Sequence, residues 1–243
     1  MIIVNADDLG RSHTETDAAL SCYAMGRITS ASAMVFMADS ERAASLSKST
    51  DLDIGLHLNL DERFTSPHVP MDLRKQHESI VRFLNGGKYA LLLYNPFLRK
   101  KFRSVYKAQE HEFIRLYGKP PSHIDGHRHM HLCSNMLIDT VIPAGHKVRR
   151  SFSFSRGERG LLNRAYRGLV DKWLQRRYLL TDYFFSLGQC LQTEMLDRVI
   201  ELSKAANVEL MTHPQNAGEW AYLNSNDCLE MFQGVQKASY AQI

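Results

Sequence analysis

The stretch MIIVNADDLG runs three branched apolar residues into two adjacent acids, Asp7 and Asp8. Three further polar clusters share their chemistry. His57 lies in GLHLNL, and His213 follows ELMT. HIDGHRHMH packs His123, Asp125, His127, His129 and His131 into nine residues. Two imidazoles and one carboxylate can hold Zn²⁺, Mn²⁺, Co²⁺ or Fe²⁺ and leave positions open for water and substrate. A second aspartate beside such a cation stays ionised and can take a proton from water. A more distant histidine can protonate a leaving group. Together these residue types describe a metal-assisted hydrolase.

Taken singly, the clusters are ambiguous. An Asp-Asp pair after a strand is more often a turn or a helix cap. His57, between two leucines, reads equally well as a hydrogen-bonded core residue. Spacing does not choose among the later histidines. His123 and His127, or His127 and His131, share a face if helical; His123, Asp125 and His127 share one if extended. Both the helical and the extended alternative include His127, which makes it the first choice on geometry. His129 and His131 are left to orient neighbours, contact substrate or face water. His13, His68, His77, His111 and His146 carry no signal. There is no H-E-x-x-H, no phosphate-binding glycine loop and no G-x-S-x-G elbow.

The elements that must position these residues alternate. MIIVNA, SASAMVF, DIGLHLNL, PSHIDG and VELMTH read as strands. HTETDAALSCYAMG, SERAASLSK and VYKAQEHEFIRLYG read as helices, the first and last stopped by Gly26 and Gly118. NMLIDTVIPAG is expected to form part of a helix. TEMLDRVIELSKA is expected to form another, capped by Thr193. RGLLNRAYRGLVDKWLQRR is amphipathic, with Leu161, Leu162, Ala165, Leu169, Val170, Trp173 and Leu174 on one face. Phe64 to Arg103 is less regular and reads as a long excursion with a short helix near Ser79–Leu84. Alternation of this kind predicts a single α/β domain over 1–243 with a parallel sheet, open or closed into a barrel. In such folds sites form at the carboxyl ends of strands, so the four clusters would meet on one rim.

The chain has 243 residues, 44% hydrophobic and 23% charged, enough for a substantial core. Its net charge of +4 does not indicate nucleic acid, but the charge is uneven. Between Arg149 and Arg177 eight Arg and one Lys face only Glu158 and Asp171. A solvated outer helix accounts for such a run; contact with a phosphate, a nucleotide-sugar or an anionic membrane is the functional alternative. Four scattered cysteines without C-x-x-C predict reduced thiols. Met1 leads straight into the first strand without a basic, apolar leader, which with the thiols predicts a cytoplasmic protein. No window is apolar enough for a membrane span.

NADDLG, GRITSASAMV, DIGLHLNL, PSHIDGHRHMH and ELMTHP occur in the order found in the YdjC-like (ChbG/HpnK) carbohydrate deacetylases, which this chain resembles from residue 2 to about 214. The resemblance implies a distorted (β/α) TIM-like barrel with mostly parallel strands. It implies removal of an N-acetyl group from an amino sugar or oligosaccharide with one divalent metal ion, Mg²⁺ or Zn²⁺ foremost, with Mn²⁺ or Co²⁺ also compatible. By position it makes Asp7 the catalytic base, Asp8, His57 and His127 the metal ligands, and His213 the general acid. It puts Arg149 or Arg150 at a place for contact to substrate or to Asp7, with His129 and His131 as further substrate-binding candidates. The chain departs from the family at Leu9, where Phe is frequent, and at Gln215, where Gly is frequent after the late His-Pro. The alternatives are a metal- or sugar-binding module without activity, and a metal phosphoesterase. Expected partners are an N-acetylated sugar, a peripheral membrane contact through 149–177, and a second copy in a homodimer.

Overall fold

A computed structural model describes residues 1–153 and 161–243, and leaves the side chains of 161–164 undescribed. Six strands form one sheet: β1 (Ile2–Leu9), β2 (Ser30–Ala33), β3 (Asp53–Leu58), β4 (Ile124–Gly126), β5 (Tyr183–Ser186) and β6 (Val208–Thr212). Their order is β4-β3-β2-β1-β6-β5, and every pairing is parallel. The sheet curls into a half-barrel of α/β type. Between the strands run α1 (His13–Ala24), α2 (Ser40–Ser47), α3 (Met71–Leu84), α4 (Arg99–Tyr117), α5 (Ser134–Ile138), α6 (Leu161–Gln175), α7 (Leu187–Thr193) and α8 (Leu196–Ser203). After β6 come α9 (Ala217–Leu223) and α10 (Asn226–Met231).

Parallel strands covered by helices are buried on both faces, so their sequences need not alternate. Every residue of β1 and β6 is buried, polar ones included. In β3 the alternating Ile54, Leu56 and Leu58 are buried, and so are Gly55 and His57 between them. The sheet's two free edges approach through an irregular segment. Arg149 donates its N–H to the Ile124 carbonyl of β4, and Ser153 donates its own to Phe184 of β5. Between these points Val148 donates its N–H to the Leu179 carbonyl, and Leu179 donates its own to His146. Residues 146–153 therefore span the gap, which places Arg149 inside the curl.

Several sequence expectations shift. The excursion from Phe64 holds a helix of 14 residues, α3, whose Leu73, Ile80 and Leu84 are buried. Thr193 does not cap a helix: it ends α7, Glu194 takes a left-handed φ of 53°, and α8 starts at Leu196. The helix expected within 135–145 stops at Ile138, and Thr140 has a φ of 47°. β5 was not expected. On α6, Val170 and Leu174 are buried, but Ala165 and Leu169 of the expected core face are exposed. The contributions of Leu161 and Leu162 lie outside the described side chains. No helix among the described residues is long and apolar enough to cross a membrane. All four cysteines are buried thiols.

Candidate active site

In a regular strand neighbouring side chains point to opposite faces, which would separate Asp7 from Asp8. β1 breaks that rule. Against β2, Ala6 pairs with Ala31 and Leu9 with Ala33, so β1 holds one more residue than its partner over this stretch. Asp8 absorbs the bulge with a φ of 69°, a left-handed conformation that Asp tolerates better than most residues. As a result both carboxylates reach one imidazole. His57 Nε2 lies 3.3 Å from Asp8 Oδ1 and 4.0 Å from Asp7 Oδ2.

His127 follows β4 directly, and its Nδ1 lies 2.9 Å from Asp8 Oδ1. Asp8, His57 and His127 each offer a ligand atom within 4.8 Å of the others, and all three residues are buried. His57 is oriented from behind: its Nδ1 meets Asp125 Oδ1 at 2.8 Å, which leaves Nε2 for the cluster. An outer carboxylate of this kind commonly fixes the tautomer of a metal-bound histidine. Burial opposes the charge of Asp8, but hydrogen bonds with His127 and His57 outweigh it and hold that carboxyl far below the usual range. Burial likewise opposes protonation of His57, yet Asp125 and Asp7 raise it well above the ordinary imidazole value. His127 is raised as well, against burial, by Asp8 and Glu62. Two imidazoles whose protonated form the surrounding acids favour make a site whose charge also suits a cation. The donor set fits a divalent ion.

Asp7 faces a different environment. Both of its oxygens accept bonds of 2.7 Å from Arg149, one from each terminal nitrogen. The same guanidinium reaches Asp125 at 2.7 Å, and its Nε donates to Glu209 at 2.8 Å. Arg149 is 0% exposed. It thus sits behind Asp7, away from the opening, and of the two contacts weighed for it the structure supplies the one to Asp7. Tyr240 donates its hydroxyl to Glu209, and its ring stacks on His123 at 3.8 Å. Ser32 donates to Asp125 and accepts from Asn5. Gly55 has to be glycine here: a Cβ would stand 2.4 Å from the His123 ring.

The other histidines divide by position. His131 is buried, bonds through Nε2 to the Arg149 carbonyl at 3.0 Å and rests against Gly126. Its surroundings are protein, and burial lowers it to about 4. His129 follows Arg128, and both adopt left-handed φ angles, 48° and 58°, that turn the chain sharply after His127. Its ring meets Phe152 at 4.6 Å on the wall of a neighbouring cavity. Arg150 lines the same cavity and is anchored to Asp171 and to the carbonyls of Thr181 and Asp182. His213 comes straight after β6, whose Met211 and Thr212 pair with Asn5 and Ala6. That register puts His213 level with Asp7, and its side chain is 27% exposed. Glu219 fixes the turn by accepting from the His213 N–H and the Thr212 hydroxyl. Gln215, where a glycine is frequent, has no left-handed φ. Sequence reasoning did not single out Glu62, which lies 3.2 Å from His127 Nε2 and pairs with Arg11, or Glu209, and it placed Asp125 only as a member of the histidine cluster. An acid inside an apolar strand, as in VELMT, is the signal that would have marked Glu209.

An all-parallel curled α/β sheet with Asp, His and His converging on one another defines a class: barrel-like α/β proteins built around a candidate metal centre. The YdjC-like protein family model matches residues 1–234, and the chain belongs to that family. A chitooligosaccharide deacetylase of Serratia marcescens is 31% identical over 137 residues, covering 54% of this chain and 51% of that one. A carbohydrate deacetylase of Mus musculus is 26% identical over 243 residues, covering 88% and 77%. Its matches with the Serratia, Proteus and Danio deacetylases take in only about half the length of those relatives. A crystal structure from Enterococcus faecalis V583, of a protein named for a proposed role in cellobiose-phosphate cleavage, superposes with a TM-score of 0.67 at 20% identity. It covers 99% of this chain and 97% of that one, and so supports the fold.

Proposed function

We propose that this chain removes the N-acetyl group of an amino sugar or oligosaccharide, with one divalent ion held by Asp8, His57 and His127. The observation that carries the reading is the meeting of three ligand atoms within 4.8 Å beside a second, separately anchored carboxylate. When bound, the ion would polarise an amide carbonyl and acidify a water. Two imidazoles with one carboxylate suit Zn²⁺, Mn²⁺ or Co²⁺ better than Mg²⁺, which prefers oxygen ligands.

The chain's own residues then divide the proton work. Asp7, fixed by two bonds from Arg149, is the base that takes a proton from the attacking water. Asp125 holds His57 in the tautomer that presents Nε2. His213, on the rim and partly exposed, gives a proton to the departing amine, and acetate leaves.

Acetate release from N-acetylated oligosaccharides, with and without a chelator, tests the activity. Asp7→Asn should lower turnover by at least 10²-fold while the bound metal survives. His127→Ala should lose the metal. Full turnover in Asp7→Asn would remove Asp7 from the role of base. A phosphodiester reporter, hydrolysed in place of the amide, would turn the assignment to a phosphoesterase.

A further inference from the structure

Beyond the turn at Arg128 and His129 lies a cavity of about 330 Å³, within the range of small-ligand sites. The chain that places His127 at the candidate metal centre places His129 on this wall two residues later. The lining has an unusual chemistry for a carbohydrate site. Among the described residues it contains no Asp, Glu, Asn or Gln, although carboxylates and amides are the side chains suited to grip sugar hydroxyls in pairs. Cations stand there instead, Lys88 and Arg150 among them, with apolar and aromatic surface such as Leu92 and Phe152 between them.

Among the described residues the lining carries Lys88, Arg128, Arg150 and Arg167, and charge-assisted bonds to an anionic oxygen suit such a set. The mouth of the cavity is apolar. Tyr89 and Leu92 on one side face Tyr166 on α6, all three more than a third exposed. Farther along the chain Leu93 and Phe97 are exposed as well, the latter at 89%, and on α6 so is Leu169, at 67%. Aromatic and aliphatic side chains left in water beside cations suit a ligand that is anionic at one end and apolar beyond it.

We infer that this cavity binds the phosphate of an amphiphilic glycosyl phosphate, with the hydrocarbon leaving over the Tyr89–Leu92 rim and the sugar turned toward the candidate metal centre. The sugar's orientation rests on the deacetylase reading; the cationic, apolar character of the cavity does not.

Isothermal titration of the full chain with decyl phosphate, kept below micelle formation, tests the cavity directly. Inorganic phosphate and decyl glucoside serve as the anion-only and chain-only probes. Decyl phosphate is expected to bind at least tenfold more tightly than either. Lys88→Glu and Leu92→Asp should each weaken it at least tenfold. Equal affinity for inorganic phosphate would make this a bare anion site, and equal affinity for decyl glucoside a plain apolar one; either overturns the inference. So does undetectable binding, or binding that neither substitution weakens. Acetate release from diacetylchitobiose reads the deacetylase assignment separately. Release without decyl phosphate binding overturns the cavity assignment alone. Decyl phosphate binding without release from any N-acetyl sugar overturns the deacetylase assignment and leaves the cavity standing.

Discussion

The interior of the half-barrel and its rim are built from the same residue types and behave differently. Inside, Arg149 serves Asp7, Asp125 and Glu209, with Tyr240, Ser32 and Asn5 completing the set. His123 and His131 there bond to Ser32 and to the Arg149 carbonyl, and burial lowers both to about 4. At the rim His57 and His127 are raised instead, crowded by acids. Burial keeps His123 and His131 neutral, whereas nearby acids favour the protonated form of His57 and His127, the two candidate ligands. The contrast lies in the partners, not in the residue names.

Substitutions inside should cost stability, and substitutions at the rim should cost metal. The largest effect is expected from Arg149→Ala, which strands three buried carboxylates and should destabilise the fold by about 3–5 kcal/mol in urea denaturation. Retention of wild-type stability would mean that the interior charges are not coupled as described.

Acid should expose the buried neutral histidines next. His77 stacks on Phe64 at 3.6 Å, and burial lowers it to about 4 from an ordinary 6.5. The unfolded chain therefore takes up a proton as pH falls through 6.5, and the folded chain only near 4. Stability from this group is complete above pH 6.5 and declines between 6.5 and 4, by on the order of 3 kcal/mol at most. His77→Phe should flatten that acid limb. The Asn59 carbonyl that His77 contacts keeps its bond from Gln109.

Asp125 belongs to both regions, so its replacement measures where they meet. Asp125→Asn should weaken metal binding about 10–100-fold in competition with a chromophoric chelator. The smallest effect belongs to Ser32→Ala. Loss of its bonds to Asp125 and Asn5 should cost about 1 kcal/mol and leave metal affinity within twofold of the parent. A larger loss of metal than Asp125→Asn causes would erase the distinction between interior and rim.

Legibility in the sequence followed the same division. Asp7, Asp8, His57 and His127 stand out because polar residues at strand ends interrupt apolar runs, and the sheet brings them together as parallel topology requires. What stayed hidden depends on contacts distant in sequence. Nothing around Arg149 shows that it turns inward, since it opens a stretch of mostly basic residues. Asp125 looked like one member of a histidine cluster, not its support. The bulge that lets Asp7 and Asp8 face the same way leaves no trace in residue type beyond Asp's tolerance of the left-handed region. Leu169 fits an apolar helical face by periodicity, yet periodicity cannot say whether anything covers that face.

The clamp on Asp7 also sets an order of events. Its counterion comes from a residue 142 positions later, on the segment that bridges the two edges of the sheet. Contacts of such separation form late, after a large loop closure has been met. A chain emerging during synthesis would have β1 through β4 available while Asp7 and Asp125 still lack their shared cation. The proposed base is then among the last features to form, and a folding intermediate short of that closure would hold the three candidate metal ligands without a fixed Asp7.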